Sequence, residues 1–226
     1  MAKSTFLQLC QDARRYCGIS GTGPSSVSNQ TGIMEKLVNW VADSDLYIQR
    51  LWANWNFLHV DDYSENILVN TIEYTAPSDI GTWDMTSFWL DYSSDSGVSL
   101  TELDYLDWRN NYRNGTQAAG KPSYIARAPN KNLILHQKPD ASYTLTGEYW
   151  KTPTKMTGNT DTSNIPEYFE RIIIVRAKLF YAEDQEAREV YQTTIEEYRD
   201  LLNKLEAAEL PAQEDRWMSS TEDSMV

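Results

Sequence analysis

Histidine and cysteine are scarce: the 226 residues hold two of each. His59 and His136 lie in unrelated surroundings, and neither belongs to an HExxH pair. No Cys/His group has metal-ligand spacing, and a GxSxG nucleophile elbow is missing too. If one helix carries both Cys10 and Cys17, they share a face but stand about 10 Å apart. That is beyond disulfide reach. Two reduced thiols fit a cytosolic origin, and on an apolar helix face they read as core residues rather than nucleophiles. Carboxylates abound without forming a motif. Asp91 and Asp95 sit in DYSSDSG, whose spacing fails the calcium-loop pattern and lacks its closing Glu. The expectation is no catalytic residue, no metal site and no cofactor.

Basic charge and long apolar runs are also short. Twenty Lys and Arg face thirty-three Asp and Glu, a net charge of −13. The excess is uneven. Residues 1–60 carry five basic against four acidic side chains, 61–160 eight against thirteen, and 161–226 seven against sixteen. A protein that grips phosphates needs basic stripes, so this balance argues against a nucleic-acid binder. An acidic surface repels DNA, which is useful where DNA must pass without sticking; solubility alone is the plainer explanation. The longest aliphatic run, residues 172–175, is far too short to cross a bilayer, so no membrane partner is expected. The opening MAKSTFLQLC lacks the apolar core and cleavage site of a secretion signal.

Apolar content of 41% is enough for a core, and eight Trp with fourteen Tyr are many. Such rings serve cores and protein interfaces alike. The periodicity predicts a first helix, capped by Ser4 or Thr5, running to about Tyr16, with Gly18 as its stop. The glycine-rich stretch 18–32 is a loop; without a preceding strand or a Walker lysine it is no phosphate cradle. Ile33, Leu37, Trp40, Val41, Ile48, Leu51 and Trp52 mark a second helix from residue 32 to about 54. Trp52, Trp55, Phe57 and Leu58 are expected to plug the core beneath its end.

From Asp61 the period becomes two. Strands are predicted at 67–72, 87–92, 98–103, 124–128, 133–136 and 142–150. A short helix is predicted at 104–113 and a turn at 138–141. A polar link, 151–164, leads to the longest apolar stripe, 165–210, with Pro166 suited to the first turn of a helix. It reads as two consecutive helices, or one broken near residues 183–185; the second piece would be about 37 Å long. After Pro211 the acidic tail has no period and is expected to be flexible until bound. The fold class is α+β: a helical bundle from residues 1–60 and 161–210, an inserted antiparallel β-rich subdomain at 61–160, and a flexible tail at 211–226.

TFLQLCQDARRYCGISGTGPSSVSNQTG, followed by a long helix with LVNWV and IQ, resembles the opening of the head-to-tail adaptor proteins of tailed bacteriophages. YTLTGEYWKTP at the end of the β-rich part is similar to the same family. So is IPEYFERIIIVRAK followed by LFYAEDQEAREVYQTTIEEYRDLLNKLE. The resemblance spans nearly all of the chain up to Pro211. It implies a virion structural protein at the head–tail junction, made in the host cytoplasm: a ring, commonly of twelve subunits, beneath the portal. That ring would join capsid to tail and pass DNA without binding it specifically. Implied partners are the portal protein, tail nozzle or tail-tube proteins, and further copies of the chain. On that reading Trp217, Met218, Met225 and Val226 in the tail contact the portal or another partner. Trp40, Trp52, Tyr191 and Tyr198 pack between subunits. A tail-completion or terminator ring is the alternative; a hydrolase with an unrecognised site in the β-rich part is the remote one.

Overall fold

The computed structural model describes residues 3–92 and 97–211. These divide into two compact units: the segments up to Phe57 and from Thr154 onward form one, and Leu58–Pro153 the other. Among the described residues the helices are α1 (Phe6–Tyr16), α2 (Ile33–Arg50), α3 (Tyr105–Asn111), α4 (Arg171–Asp184) and α5 (Arg188–Glu209). The architecture is α+β, as the periodicities indicate.

In the helical unit α4 is the centre, packing against α1, α2 and α5. Its sequence explains this: RIIIVRAKLFYA is apolar round most of the helix, and Ile172, Ile173, Val175, Ala177, Leu179 and Ala182 are all buried. Each large aliphatic chain removed from water contributes about 1.5–3 kcal/mol. Phe6, Leu9, Cys10 and Ala13 bring one face of α1 into the same core, and Leu37, Val38, Val41 and Ile48 bring one face of α2. Helix α1 starts in a capping box. Thr5 Oγ1 accepts from the Gln8 amide at 3.3 Å, and Gln8 Oε1 accepts from the Thr5 amide at 2.8 Å. Two otherwise unpaired backbone donors at that end are thereby satisfied reciprocally.

Helix α2 ends at Arg50, four residues before the expected limit near Asn54. The reason lies in Trp55. Its buried indole N–H donates to the Ile48 carbonyl at 3.2 Å, taking an acceptor from the final turn. Trp55 is fully buried and stacks on Phe57, ring centres 5.1 Å apart. The expected plug is therefore only partly right for this unit: Trp52 is 44% exposed. Pro166 precedes a single 3-10 turn, Glu167–Phe169, and α4 proper begins at Arg171. Between α4 and α5 the chain breaks at Gln185 to Ala187. Glu186 takes φ 51°, and the amides of Glu186 and Ala187 donate to the carbonyls of Glu183 and Ala182. This is the left-handed cap that closes many helices, here without glycine.

The second unit is built from β1 (His59–Ile67), β2 (Glu73–Tyr74), β3 (Ile80–Asp91), β4 (Val98–Ser99), β5 (Thr101–Glu102), β6 (Ala119–Gly120), β7 (Tyr124–Arg127), β8 (Leu133–His136), β9 (Lys138–Pro139) and β10 (Tyr143–Lys151). An antiparallel sheet has the order β1-β10-β3-β4, and a mixed sheet, parallel at β7–β5, has the order β2-β8-β7-β5. Their inner faces share a core containing Trp83, Phe88, Leu90 and Leu145 with Ile125, Leu133 and Leu135. Helix α3, capped by Asp104, seats Trp108 on Ala126, Ala128 and Ile134. The β7–β8 pair thus has cover on both faces, so its strands are apolar runs. Strand β10 alternates buried and open residues.

Several strand predictions need correction. The strand expected at 67–72 is a turn, with Asn70 at φ 64° and the Tyr74 hydroxyl accepting from the Leu68 amide at 2.9 Å. The strand lies just before it, in the polar HVDDYSENI, because β10 supplies its ladder from His59 opposite Trp150 to Ile67 opposite Tyr143. Asp61 and Asp62 on this sheet edge discourage pairing with a foreign strand. Strand β3 starts at Ile80 rather than Ser87. The expected strand 98–103 is two: β4 pairs with β3, β5 runs parallel to β7, and buried Leu100 lies between them as the chain crosses sheets. Lys138 and Pro139 form β9, parallel to β6, instead of opening the expected turn.

Candidate functional site

The aromatic residues that α2, α4 and α5 leave in the open form the most distinctive surface of the helical unit. Tyr47 near the end of α2 is 45% exposed, Trp52 just beyond it 44%, and Tyr168 before α4 72%. Two of these rings are tied to the last turns of α5. Trp52 Nε1 donates to Glu206 Oε1 at 2.9 Å, and Tyr168 Oη donates to Glu209 Oε1 at 3.0 Å. The polar edges are thus fixed while a large part of each ring stays exposed, the presentation that interfaces favour.

Beside them Arg176 of α4 lays its guanidinium over the Tyr47 ring, 3.4 Å from its centre, with Phe180 and Tyr198 each at 5.4 Å. Burial pushes the Tyr198 hydroxyl above its ordinary pKa, against the neighbouring Arg176 charge. A second cluster holds α1, α4 and α5 together. Tyr16 donates to Glu197 Oε2 at 2.5 Å, and Arg171 reaches Glu197 Oε1 through two nitrogens at 2.9 and 2.7 Å. Burial would raise the Glu197 pKa, but the Tyr16 and Arg171 contacts outweigh it and lower it.

The residues predicted to pack between subunits have different settings. Trp40 meets Tyr181 edge-on at 6.3 Å and is half-buried. Trp52 belongs to the exposed rim. Tyr191 is half-buried beside Ala182 and Arg188 in a shallow recess at the α4–α5 turn. Tyr198 is 6% exposed, within its own unit. The structure thus brings Trp52 and Tyr198 to one region through Glu206 and Arg176, while Trp40 and Tyr191 lie elsewhere on α2 and α5. Sequence reasoning passed over Tyr47, Tyr168 and Arg176. The signal available was a lone arginine within the apolar IIIVRAKLF. Trp217, Met218, Met225 and Val226 lie outside the described residues.

Among the described residues no cluster of three His, Cys, Asp or Glu side chains is placed to hold a metal ion, and Asp95 lies outside them. His59 Nε2 stands 3.0 Å from Glu148 in the β unit. His136, whose pKa burial lowers, packs on Tyr112 at 3.9 Å. Cys10 and Cys17 are free and buried, and burial pushes their thiols up to about 12 and about 11. At neutral pH they are poor nucleophiles. The glycine loop is fastened to α1: Arg14 donates to the carbonyls of Ile19, at 2.9 Å, and Gly21. In the β unit a recess of about 330 Å3 is floored by Trp83 and edged by Arg127 and Lys131. No helix among the described residues is long and apolar enough to cross a membrane.

Comparison with protein-family models matches residues 4–223 to the family described as SU10 adaptor protein. A search of the curated proteins finds no match. The matched span takes in both units. A core of helices bearing an aromatic rim, with a β-rich unit inserted in the chain, is the setting in which that match falls. The chain belongs to the SU10 adaptor protein family, a family of phage head-to-tail adaptors.

Proposed function

We propose that copies of this chain form a ring, of twelve subunits, that seats beneath the portal of a tailed phage. The ring joins capsid to tail and leaves a passage for DNA. It is a structural component of the virion's head–tail junction, made in the host cytoplasm, and not an enzyme. The observation that carries this reading is the breadth of the family match, residues 4–223. The exposed rings of Tyr47, Trp52 and Tyr168 support it, since lateral packing of subunits buries aromatic rims. The net charge of −13 supports a conduit whose wall does not hold the passing genome. The portal is the upper partner and a tail nozzle or tail-tube protein the lower one. The tail beyond Pro211 docks on the portal, with Trp217 as an anchor.

Mixing the purified protein with portal protein tests this. Rings of defined copy number on the portal, seen by electron microscopy, are expected; no complex at micromolar concentration would overturn the reading. A subunit count other than twelve, on a tail tube instead of a portal, would select a terminator ring. Deleting residues 211–226 should abolish docking, and Trp217→Ala should weaken it by about 2 kcal/mol or more, as buried aromatic anchors do. Unchanged portal affinity in the deletion would make the tail a passenger.

A further inference from the structure

Arg176 is a half-buried cation on α4. Thirty-three carboxylate side chains are present in the sequence, yet Arg176 makes no ion pair among the described residues, and its Nε is buried with no acceptor. The Tyr198 hydroxyl next to it is also buried, with Arg176 as its hydrogen-bonding neighbour at a geometry short of a full bond. Two unsatisfied polar atoms therefore converge on one half-buried spot, walled by Tyr47, Phe180 and Tyr198. Stacking on aromatic faces offsets part of the cost of holding a guanidinium there. It leaves the buried Nε–H without an acceptor, and the planar guanidinium fork matches a carboxylate in a bidentate pair. Tyr47, 45% exposed, keeps the spot open to solvent.

We propose that this cage is an incomplete site, filled by a carboxylate from a neighbouring copy of the chain. The inference rests on the ring reading above and names the contact that closes it. A ring needs a heterologous interface, in which two different faces of the subunit meet. The carboxylates suited to the second face are Glu189 and Glu196 on α5. Both are open to solvent, neither makes an ion pair or side-chain hydrogen bond among the described residues, and they lie seven residues apart on one side of the helix. Glu196 is about 200° round the helix from Tyr198, hence on the face turned away from the cage. The Arg176 of one copy then meets Glu196, with Glu189 a further two turns along, of the next. The cage excludes water from the pair, and the planar fork sets the angle between neighbours. Lysine would preserve the charge but lose the stacking and the fork.

Ring assembly of the full chain on portal protein, followed by mass photometry, tests this. Wild-type chain is run first: if it forms no ring, the ring reading itself fails, whatever Arg176 does. If it does, Arg176→Gln should raise the half-assembly concentration at least tenfold, with Arg176→Lys in between. Glu196→Arg and Arg176→Glu should each block assembly, and the double variant carrying both should restore it, since every interface then regains an opposite pair. That restoration is informative even if the single variants melt early. Wild-type assembly by Arg176→Gln, or failure of the double variant to recover, would overturn the proposal while leaving the ring intact.

Discussion

Replacing Asp45 with asparagine should stabilise the helical unit at neutral pH, by an amount that vanishes in acid. Asp45 is wholly buried on α2. Its carboxylate accepts from Ser163 Oγ and from Gln49 Nε2, the latter at 2.7 Å; Gln49 Oε1 in turn accepts from Asn164 at 2.9 Å. Lys3, which donates to the Ser163 carbonyl at 2.8 Å, and Glu170, which accepts from the Ser4 amide at 3.1 Å, are the charges facing it. Burial pushes the Asp45 carboxyl up to about 6, with Glu170 adding to the rise; the Ser163 and Gln49 hydrogen bonds and Lys3 oppose it. The ordinary value is 3.8. A rise of about two pH units corresponds to about 3 kcal/mol.

The sign follows from which state holds the proton. The folded pKa is above the unfolded one, so this group's contribution is fully present below pH about 4 and lost as pH rises through about 6. Above that, the native unit carries a buried carboxylate at a cost of about 3 kcal/mol. An asparagine amide at this position cannot ionise, and the amides of Gln49 and Asn164 can turn over to keep every donor opposite an acceptor. Urea unfolding of both proteins, followed by the helical signal at about 222 nm from about pH 4 to 8, isolates the group, because the other titrations cancel in the difference. The variant's advantage should grow by about 2–3 kcal/mol between pH 4 and 7. A pH-independent difference, or a variant less stable at pH 7 than the parent, would refute the argument that desolvation dominates.

Gly147→Ala should destabilise the β unit by about 1–3 kcal/mol, since an added Cβ would stand 2.5 Å from the Phe88 ring at a sheet irregularity; a melting temperature equal to wild type would show that the ring moves aside freely. Thr5→Ala should cost about 1 kcal/mol by removing the capping box, read as a lower urea midpoint of the helical transition. Cys10 and Cys17 should resist a thiol reagent at pH 8 in the native protein and react at once in denaturant; rapid native labelling would contradict their burial and their thiol values of about 12 and about 11.

Much of the helical unit could be read from the chain because its signals are local. Thr5 with Gln8, the stripe of α1, and the break between α4 and α5 involve residues within a turn or two of one another. Where expectation and structure part, a contact outside the local periodicity intervenes. Trp55 caps α2 and shortens it, β10 recruits the polar His59–Ile67 as a strand, and the crossing at Leu100 divides one apparent strand between two sheets. The candidate surface was legible only in part. Trp52 and Tyr198 stood out as aromatics on periodic faces, whereas Tyr47 and Tyr168 carried no pattern of their own.

The sequence by itself determined the α+β class, the order of helical and extended segments, the acidic balance and the adaptor resemblance. All of these follow from composition, short-range periodicity or the whole string of residues. Tertiary structure alone decided that α4 lies at the centre of its unit, that Asp45 is sealed among Ser163 and Gln49, and that Arg176 sits among three rings and makes no ion pair among the described residues. Each depends on at least one partner brought from a segment more than a hundred residues away, whose arrival no local pattern encodes.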